Sequence, residues 1–572
     1  MTKSKAGQPA VAAGSSGFFH IAADDPQRLA VIGPDGGTVT YGELSRQVNQ
    51  VSHGLREIGL ATGDTLAVVL GNSREFLVLQ LSAGQLGIVL VPVNWHFTVP
   101  EISHLLADSG TRAIVTGARF AATVAEAADT VGLEHKNRFV VADVEDLGGR
   151  DGGGDGAPSE DALPARGDGP SPRPTQPPGG PASVSTSRRT PEAFRPFGEL
   201  AAGHTDARPE GRAFAHPMLY TSGTTGRPKG VERGVLEADP DGITALIADT
   251  LAAVLGLTPG TGVHLVTAPM YHASPGTHAL YALHLGHTVV ISPKFDAVTV
   301  LDLVRRHGVT NTFMVPTMFH RLLALPEKVR AAADTSTLRQ VMHAAAACPA
   351  ADKHKMIDWL GPVLIEYYGS TESAIVVVAD SHEWLAHPGT VGHPVLGIDI
   401  KILDDQGAEL PPGTPGMIYA SVADGFVYHK DPAKTRASRR GAYYTPGDIG
   451  YLDSDGYLYL CDRRSDLIIS GGVNIYPAEV EAALFEHPAV ADAVVFGVPD
   501  PEWGHVVTAL IQPADGAVPS DELRAELLRH CRARLARFKH PRTLEFRSAL
   551  PRTPTGKLSR ARVREEYLRN RD

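Results

Sequence analysis

Two stretches of this chain read as strand, helix, strand, with strands that are apolar at nearly every position. The first runs through "DTLAVVLGN" (Asp64 to Asn72), "SREFLVLQLSAGQLG" and "IVLVPVN". The second runs through "GHTVVISP", "VLDLVRRHG" and "VTNTFMVP". A half-buried strand alternates apolar and polar side chains. A strand that is apolar throughout must be covered on both faces, as helical crossovers cover a parallel sheet. The alternation predicts an α/β fold with layered parallel sheets.

A chain of 572 residues is too long for one compact core, so at least two domains are expected. After "DGYLYLCDRRSDLIISGG" the pattern restarts. "DAVVFGVPD" and "VVTALIQP" read as strands, and "SDELRAELLRHCRARLARF" reads as an amphipathic helix. That helix has Ser520 as N-cap and an apolar face of Leu523, Leu527, Cys531, Leu535 and Phe538. The expected organisation is a large N-terminal domain over 1–462 and a small α+β domain over 467–572, with a hinge near 463–466. Between about 148 and 212 the composition turns to Gly, Pro, Ser and charge, which predicts a disordered insertion.

The net charge of −11 argues against a general nucleic-acid binder. Three cysteines, none in a C-x-x-C pair, exclude a disulfide framework and a cysteine zinc site. The start "MTKSKAGQPAVAAGSSG" lacks the apolar segment of a secretory signal, and no run of about 18 apolar residues is present. The expected location is cytoplasmic, with no membrane span.

Four blocks carry chemistry. The stretch "YTSGTTGRPKGV" (Tyr220 to Val231) is not a Walker A loop, because Arg227 and Pro228 separate Gly226 from Lys229. The only "TGK", Thr555 to Lys557, also fails: Pro551 stands where the first Gly should be. Gly223 and Gly226 nonetheless let backbone N–H groups approach an anion closely. Thr221, Ser222, Thr224 and Thr225 add hydroxyls, and Lys229 adds charge. This fits phosphate better than it fits a plain surface turn.

The second block, "LIEYYGSTES" (Leu364 to Ser373), runs a strand into two tyrosines, Gly369 and Glu372. A Tyr beside a Gly offers a platform for a flat base. Beside a phosphate site, a single carboxylate suits Mg²⁺. Read alone, Glu372 is also compatible with a solvated charge. The third, "YYTPGDIGYLDSDGYLYLCDRRSDLIISGGVNIYPAEVE", places Asp448 before an apolar strand and Arg463 about one hairpin later. Such an Asp can accept from two ribose hydroxyls, although ordinary hairpin charges explain the pair equally well. The fourth is the tail "PRTPTGKLSRARVREEY", with Lys557 in a Pro, Thr and Gly loop.

Taken together and in this order, the blocks resemble the adenylate-forming superfamily: acyl-CoA synthetases, luciferases and peptide-synthetase adenylation domains. Within it, "TAPMYHASP", "FMVPTMFHRLL", "YYGSTES", "PGTVGHPV" and "SGGVNIYPAEVE" are most similar to bacterial fatty-acyl-CoA ligases. The resemblance implies a large layered domain with a small mobile lid. It implies that Thr221 to Lys229, including Ser222, Gly223, Thr224, Thr225 and Gly226, hold the ATP phosphates. It implies that Tyr368 and Gly369 face adenine together with Ala345 and Ala346, that Thr371 meets the α-phosphate and that Glu372 holds Mg²⁺. Asp448 and Arg463 would bind the ribose. Lys557 would bridge the acid and the α-phosphate. Gly471 and Gly472 would line the thiol tunnel, and His272 would face the acid.

Two departures stand out. Where the family often has Gly-Gly-Ala-Pro, this chain has Ala344 to Ala347, and Ser465 occupies a hinge position often held by Asp or Lys. The motifs "HEWLAH" and G-x-S-x-G give no competing reading, since the first has the wrong spacing for zinc and the second is absent. Arg524 to Arg537 offer either a CoA-phosphate patch or a solvated helix face.

The implied function is ATP-dependent ligation of an acid to a thiol through acyl-AMP, with ATP, Mg²⁺ and CoA. "TAPMYHASPGTHALY" holds no carboxylate to pair with a substrate amine, which points to a fatty or aryl acid. A carrier protein as thiol donor stays open, as does adenylation of another small oxyanion such as nitrite. A homodimer stays open too.

Overall fold

The computed structural model describes residues 16–142, 193–221, 228–395, 397–422, 425–463, 466–470, 473–501, 503–552 and 558–570. Several expectations therefore lie outside the described residues: Ser222 to Gly226, Ser465, Gly471, Gly472, Lys557, the side chain of Arg463, and the stretch up to 192.

The predicted parallel layers are present. Strands Val89–Pro92, Thr65–Val69, Ala113–Gly117, Arg138–Val141 and Arg195–Pro196 lie side by side, all parallel. Every residue of Thr65–Val69 and Ala113–Gly117 is buried, Thr65 and Thr116 included, as in a parallel sheet covered on both faces. A second sheet of nine strands has a parallel centre: Leu364–Ser370, Gln340–His343, Asn311–Met314, Val263–Val266, Thr288–Ile291 and Leu29–Ile32. The strands of the second sequence unit, Thr288–Ile291 and Asn311–Met314, are not neighbours, because Val263–Val266 inserts between them. Residues of the helices Tyr41–Glu57, Arg74–Gln85 and Ala273–His284 share one apolar core with residues of both sheets.

A third sheet, antiparallel, contains Gly416–Ser421, Asp448–Leu452 and Leu458–Arg463. It ends at Arg463, and the next strand, Ile468–Ser470, belongs to a different sheet. That last sheet is built on the hairpin of Val490–Asp500 and Gly504–Pro513, with Thr543–Phe546 joined in parallel. Helices Pro477–Phe485 and Asp521–Arg534 belong to its apolar core.

Two expectations are corrected. The insertion does not extend to 212. Phe194, Phe197 and Leu200 are buried, and Arg195–Pro196 pairs with Arg138–Val141. Three such side chains contribute about 1.5–3 kcal/mol each, and the backbone pairing along a preformed edge adds to this against the entropy of ordering the segment. The contact is close: a Cβ at Gly54 would lie 2.0 Å from the Leu200 carbonyl oxygen. Second, Phe538 leaves the helix face. The helix ends at Arg534, Leu535 takes an extended backbone, and Phe538 is exposed on a 3₁₀ turn. Ser520 does cap the helix, accepting from the Leu523 N–H at 3.2 Å.

Candidate active site

An open cleft of about 4440 Å³ runs past the C-terminal ends of the central strands and is lined also by residues of the C-terminal sheet. Thr221, His272, Ala345, Ala346, Tyr368, Gly369, Thr371, Glu372 and Asp448 all line it.

The stems of the first block meet. Leu219–Thr221 and Lys229–Glu232 are antiparallel, with Lys229 directly opposite Thr221. The two ends of the block, Thr221 and Lys229, are therefore held side by side. The base is braced where the Tyr220 hydroxyl donates to Asp108 Oδ2 at 2.7 Å. Lys229 Nζ forms an ion pair with Asp431, whose carboxyl is held below its usual range chiefly by that hydrogen bond.

The second block is a tight hairpin. Gly369 lies opposite Ile375 next to a register shift, and a Cβ there would fall 1.8 Å from the Ala374 carbonyl oxygen. Only glycine fits. The turn is tied by Ser370 and Ser373, each side-chain oxygen accepting from the other's N–H at 3.0 and 3.2 Å. Arg233 Nη2 donates to the carbonyls of Thr371 and Glu372 at 2.9 and 2.7 Å. Glu372 is buried rather than solvated, and its Oε1 accepts from the Tyr428 hydroxyl at 2.8 Å. Burial and the Glu372 charge push the Tyr428 phenol up.

The third block closes the same wall. Asp448 and Arg463 are register partners on adjacent antiparallel strands. The Tyr368 hydroxyl donates to Asp448 Oδ2 at 2.8 Å. Ala344 to Ala347 follow strand Gln340–His343, and Ala345 has φ of 77°, a conformation that suits glycine. His272 stands at the N-terminal boundary of the helix Ala273–His284, without a side-chain capping bond, and lies against Tyr271, ring centroids 4.3 Å apart.

Residues 463–466 are flanked by a charged node. Arg560 Nη1 donates to Asp462 Oδ1 at 2.9 Å and Asp466 Oδ2 at 3.1 Å, and Nη2 donates to Glu481 Oε2 at 2.5 Å. Both flanks of the expected hinge are thereby tied to the helix Arg560–Arg569 and, through Glu481, to Pro477–Phe485.

Sequence reasoning missed Tyr428, Asp431 and Arg233. "DPAKT" carries a visible N-cap signal at Asp431, and the side chain does accept from the Lys434 N–H. Nothing local could reveal that its other oxygen meets Lys229, 202 positions away. Among the described residues, no cluster of three or more His, Cys, Asp or Glu could hold a metal, and no helix is long and apolar enough to cross a membrane.

Layered parallel sheets, a small C-terminal sheet and a cleft with these motifs define an adenylate-forming ligase. The chain belongs to the AMP-binding enzyme family, whose profile matches residues 18–424, and residues 479–557 match the AMP-binding enzyme C-terminal domain. It is 34% identical to a feruloyl-CoA synthase of Amycolatopsis sp over 539 residues, covering 93% of this chain and 95% of the relative. It is 32% identical to the fatty acid–[acyl-carrier-protein] ligase ScoC of Streptomyces coeruleorubidus, over 96% of this chain and 95% of the relative. The o-succinylbenzoate CoA synthetase of Bacillus subtilis, solved with its acyl-adenylate intermediate, superposes with a TM-score of 0.74 at 27% identity, covering 96% of this chain and 97% of that one. The protein is thus an AMP-forming ligase of the acyl-CoA synthetase type.

Proposed function

We propose that the protein adenylates a fatty or aryl carboxylic acid and transfers the acyl group to CoA. The observation that carries this reading is the convergence of Thr221, Glu372, Tyr368 and Asp448 on one cleft, with Lys229 paired directly opposite Thr221 at its edge. In the first step a carboxylate oxygen bonds to the α-phosphorus of ATP. The bond to the bridging oxygen breaks, and pyrophosphate leaves with the electron pair. In the second a thiol sulfur bonds to the acyl carbon, the carbon–oxygen bond breaks, AMP departs, and the thiol proton goes to solvent.

Tyr368 offers its ring to adenine, and Asp448 accepts from the ribose with Arg463 beside it. Thr371 meets the α-phosphate, as the hairpin turn that Arg233 fixes would present it. Thr221 and the residues Ser222 to Gly226 wrap the β- and γ-phosphates, with Lys229 balancing their charge. Lys557 stabilises the charge developing between acid and phosphate, and Gly471 and Gly472 admit the thiol once the lid turns about 463–466.

The residues fit Mg²⁺: Glu372 is one buried carboxylate with Oε1 fixed by Tyr428, and phosphate oxygens complete the set. When bound, Mg²⁺ draws charge from the phosphate oxygens.

The acid side is uncharged near His272. No Asp or Glu occurs from Thr267 to Tyr281, which supports an acid without an α-amino group. A second reading, with a carrier protein as thiol donor, is favoured by the likeness to ScoC. ATP–pyrophosphate exchange over a panel of acids, followed by CoA, carrier protein or amine as acceptor, tests both. Exchange restricted to amino acids, or none at all, would overturn the acid assignment.

A further inference from the structure

One wall of the cleft carries a basic residue with no role in the reading above. Lys434 lies in the short helix Pro432–Ala437, which follows the strand Val427–Tyr428, and lines the cleft with Glu372 and Tyr428. Its ammonium stands over the Tyr428 ring, 3.9 Å from the centroid. The hydroxyl of that same ring is the donor to Glu372 Oε1. The segment is fixed on both sides. Asp431 Oδ1 accepts from the Lys434 N–H at 2.9 Å, and Thr435 Oγ1 accepts from the Tyr428 N–H at the same distance.

The charges around it are unevenly shared. Asp431 is engaged by Lys229, and Glu372 accepts from Tyr428. Among the described residues no carboxylate lies within ion-pair distance of Lys434. Burial first and the neighbouring Lys229 second pull its pKa down, and the opposing pull of Glu372 and Asp431 does not cancel them. An ammonium that is partly desolvated, backed by an aromatic face and not directly paired with a carboxylate gains from an anion placed against it. The cleft it faces is the one proposed to take a polyphosphate, and pyrophosphate leaves with more negative charge than one lysine balances.

We propose that Lys434 is a second cation for the β- and γ-phosphates of the nucleotide, acting beside Lys229 on the departing pyrophosphate. The inference rests on the nucleotide placement in the proposed function. It does not depend on which acid is activated.

The test compares Lys434→Gln and Lys434→Arg with the wild-type full chain. Titration with ATP and with AMP separates the two ends of the nucleotide. Lys434→Gln is expected to weaken ATP binding about tenfold or more, to leave AMP within about twofold, and to raise the apparent KM for pyrophosphate in exchange by a similar factor. Lys434→Arg should restore most of both. Acyl transfer to CoA from synthetic acyl-AMP should be unchanged in either variant. Equal loss of ATP and AMP binding, or Arg behaving like Gln, would mean that the residue serves only the fold and would overturn the proposal. So would unchanged ATP affinity and KM for pyrophosphate. A wild-type protein that binds ATP but exchanges pyrophosphate with no acid would overturn the proposed function instead, and the ATP and AMP titrations would still decide on Lys434.

Discussion

The Tyr368 hydroxyl donates to Asp448 Oδ2 at 2.8 Å, joining residues 80 positions apart. One lies on the nine-stranded sheet and the other on the third sheet. If Tyr368 serves the base and Asp448 the ribose, the nucleoside is read by two elements already held in register by one hydrogen bond.

Asp448→Ala would remove the acceptor for Tyr368 and for both ribose hydroxyls. Leaving such donors unpaired costs about 1–3 kcal/mol. ATP affinity, measured by calorimetry, should fall by roughly tenfold or more. Tyr368→Phe keeps the ring and loses only the tether, so its effect should be smaller. An unchanged ATP affinity in Asp448→Ala would count against the ribose assignment.

Ala345 holds a backbone conformation that costs a non-glycine residue about 1 kcal/mol or more. Ala345→Gly should relieve it in the folded state while adding freedom to the unfolded chain. The first effect exceeds the second where φ is positive. A net gain of about 0.5–1 kcal/mol is expected in denaturant unfolding followed through the large domain. A loss of stability would mean that the loop is not strained.

Three buried histidines make stability depend on pH. Burial lowers the pKa of His264 to about 4, of His278 to about 3 and of His284 to about 4. Their bonding agrees with neutral rings: His284 Nδ1 accepts from the Phe18 N–H at 3.1 Å. The unfolded chain takes up these protons near pH 6.5, so it binds more protons than the folded state below that value. Their contribution is full above about 6.5 and is lost as pH falls towards 4. His320, raised chiefly by its hydrogen bond with Asp352, opposes this with one group. The melting temperature should drop between pH 6.5 and 5, above the carboxylate range. A flat profile there would refute the burial argument.

The two half-reactions should separate by residue. Lys557→Ala is expected to slow adenylation on the order of 10²–10³-fold, the scale of losing a key oxyanion donor. Transfer from synthetic acyl-AMP should be nearly unaffected. A bulky substitution of Gly472 should do the reverse. Single-turnover assays of each half decide the matter. Equal slowing of both halves by Lys557→Ala would rule out lid alternation about 463–466.

The sequence by itself determined what acts over a few residues. Nearly unbroken apolar runs at Thr65–Val69 and Val89–Pro92 demanded a sheet covered on both faces. Ser520 announced its helix, and its side chain does accept from the Leu523 N–H. Tertiary structure decided the pairings whose cause is not local. Lys229 meets Asp431 and Glu372 meets Tyr428, because strand Lys229–Glu232 pairs with Val427–Tyr428 in antiparallel register. Residues 193–212 looked like the tail of a disordered insertion, yet they fold because Phe194, Phe197 and Leu200 find apolar surface supplied by distant elements. Composition counts how much apolar area a segment carries. Whether a partner face exists to receive it depends on where the remaining chain has been placed.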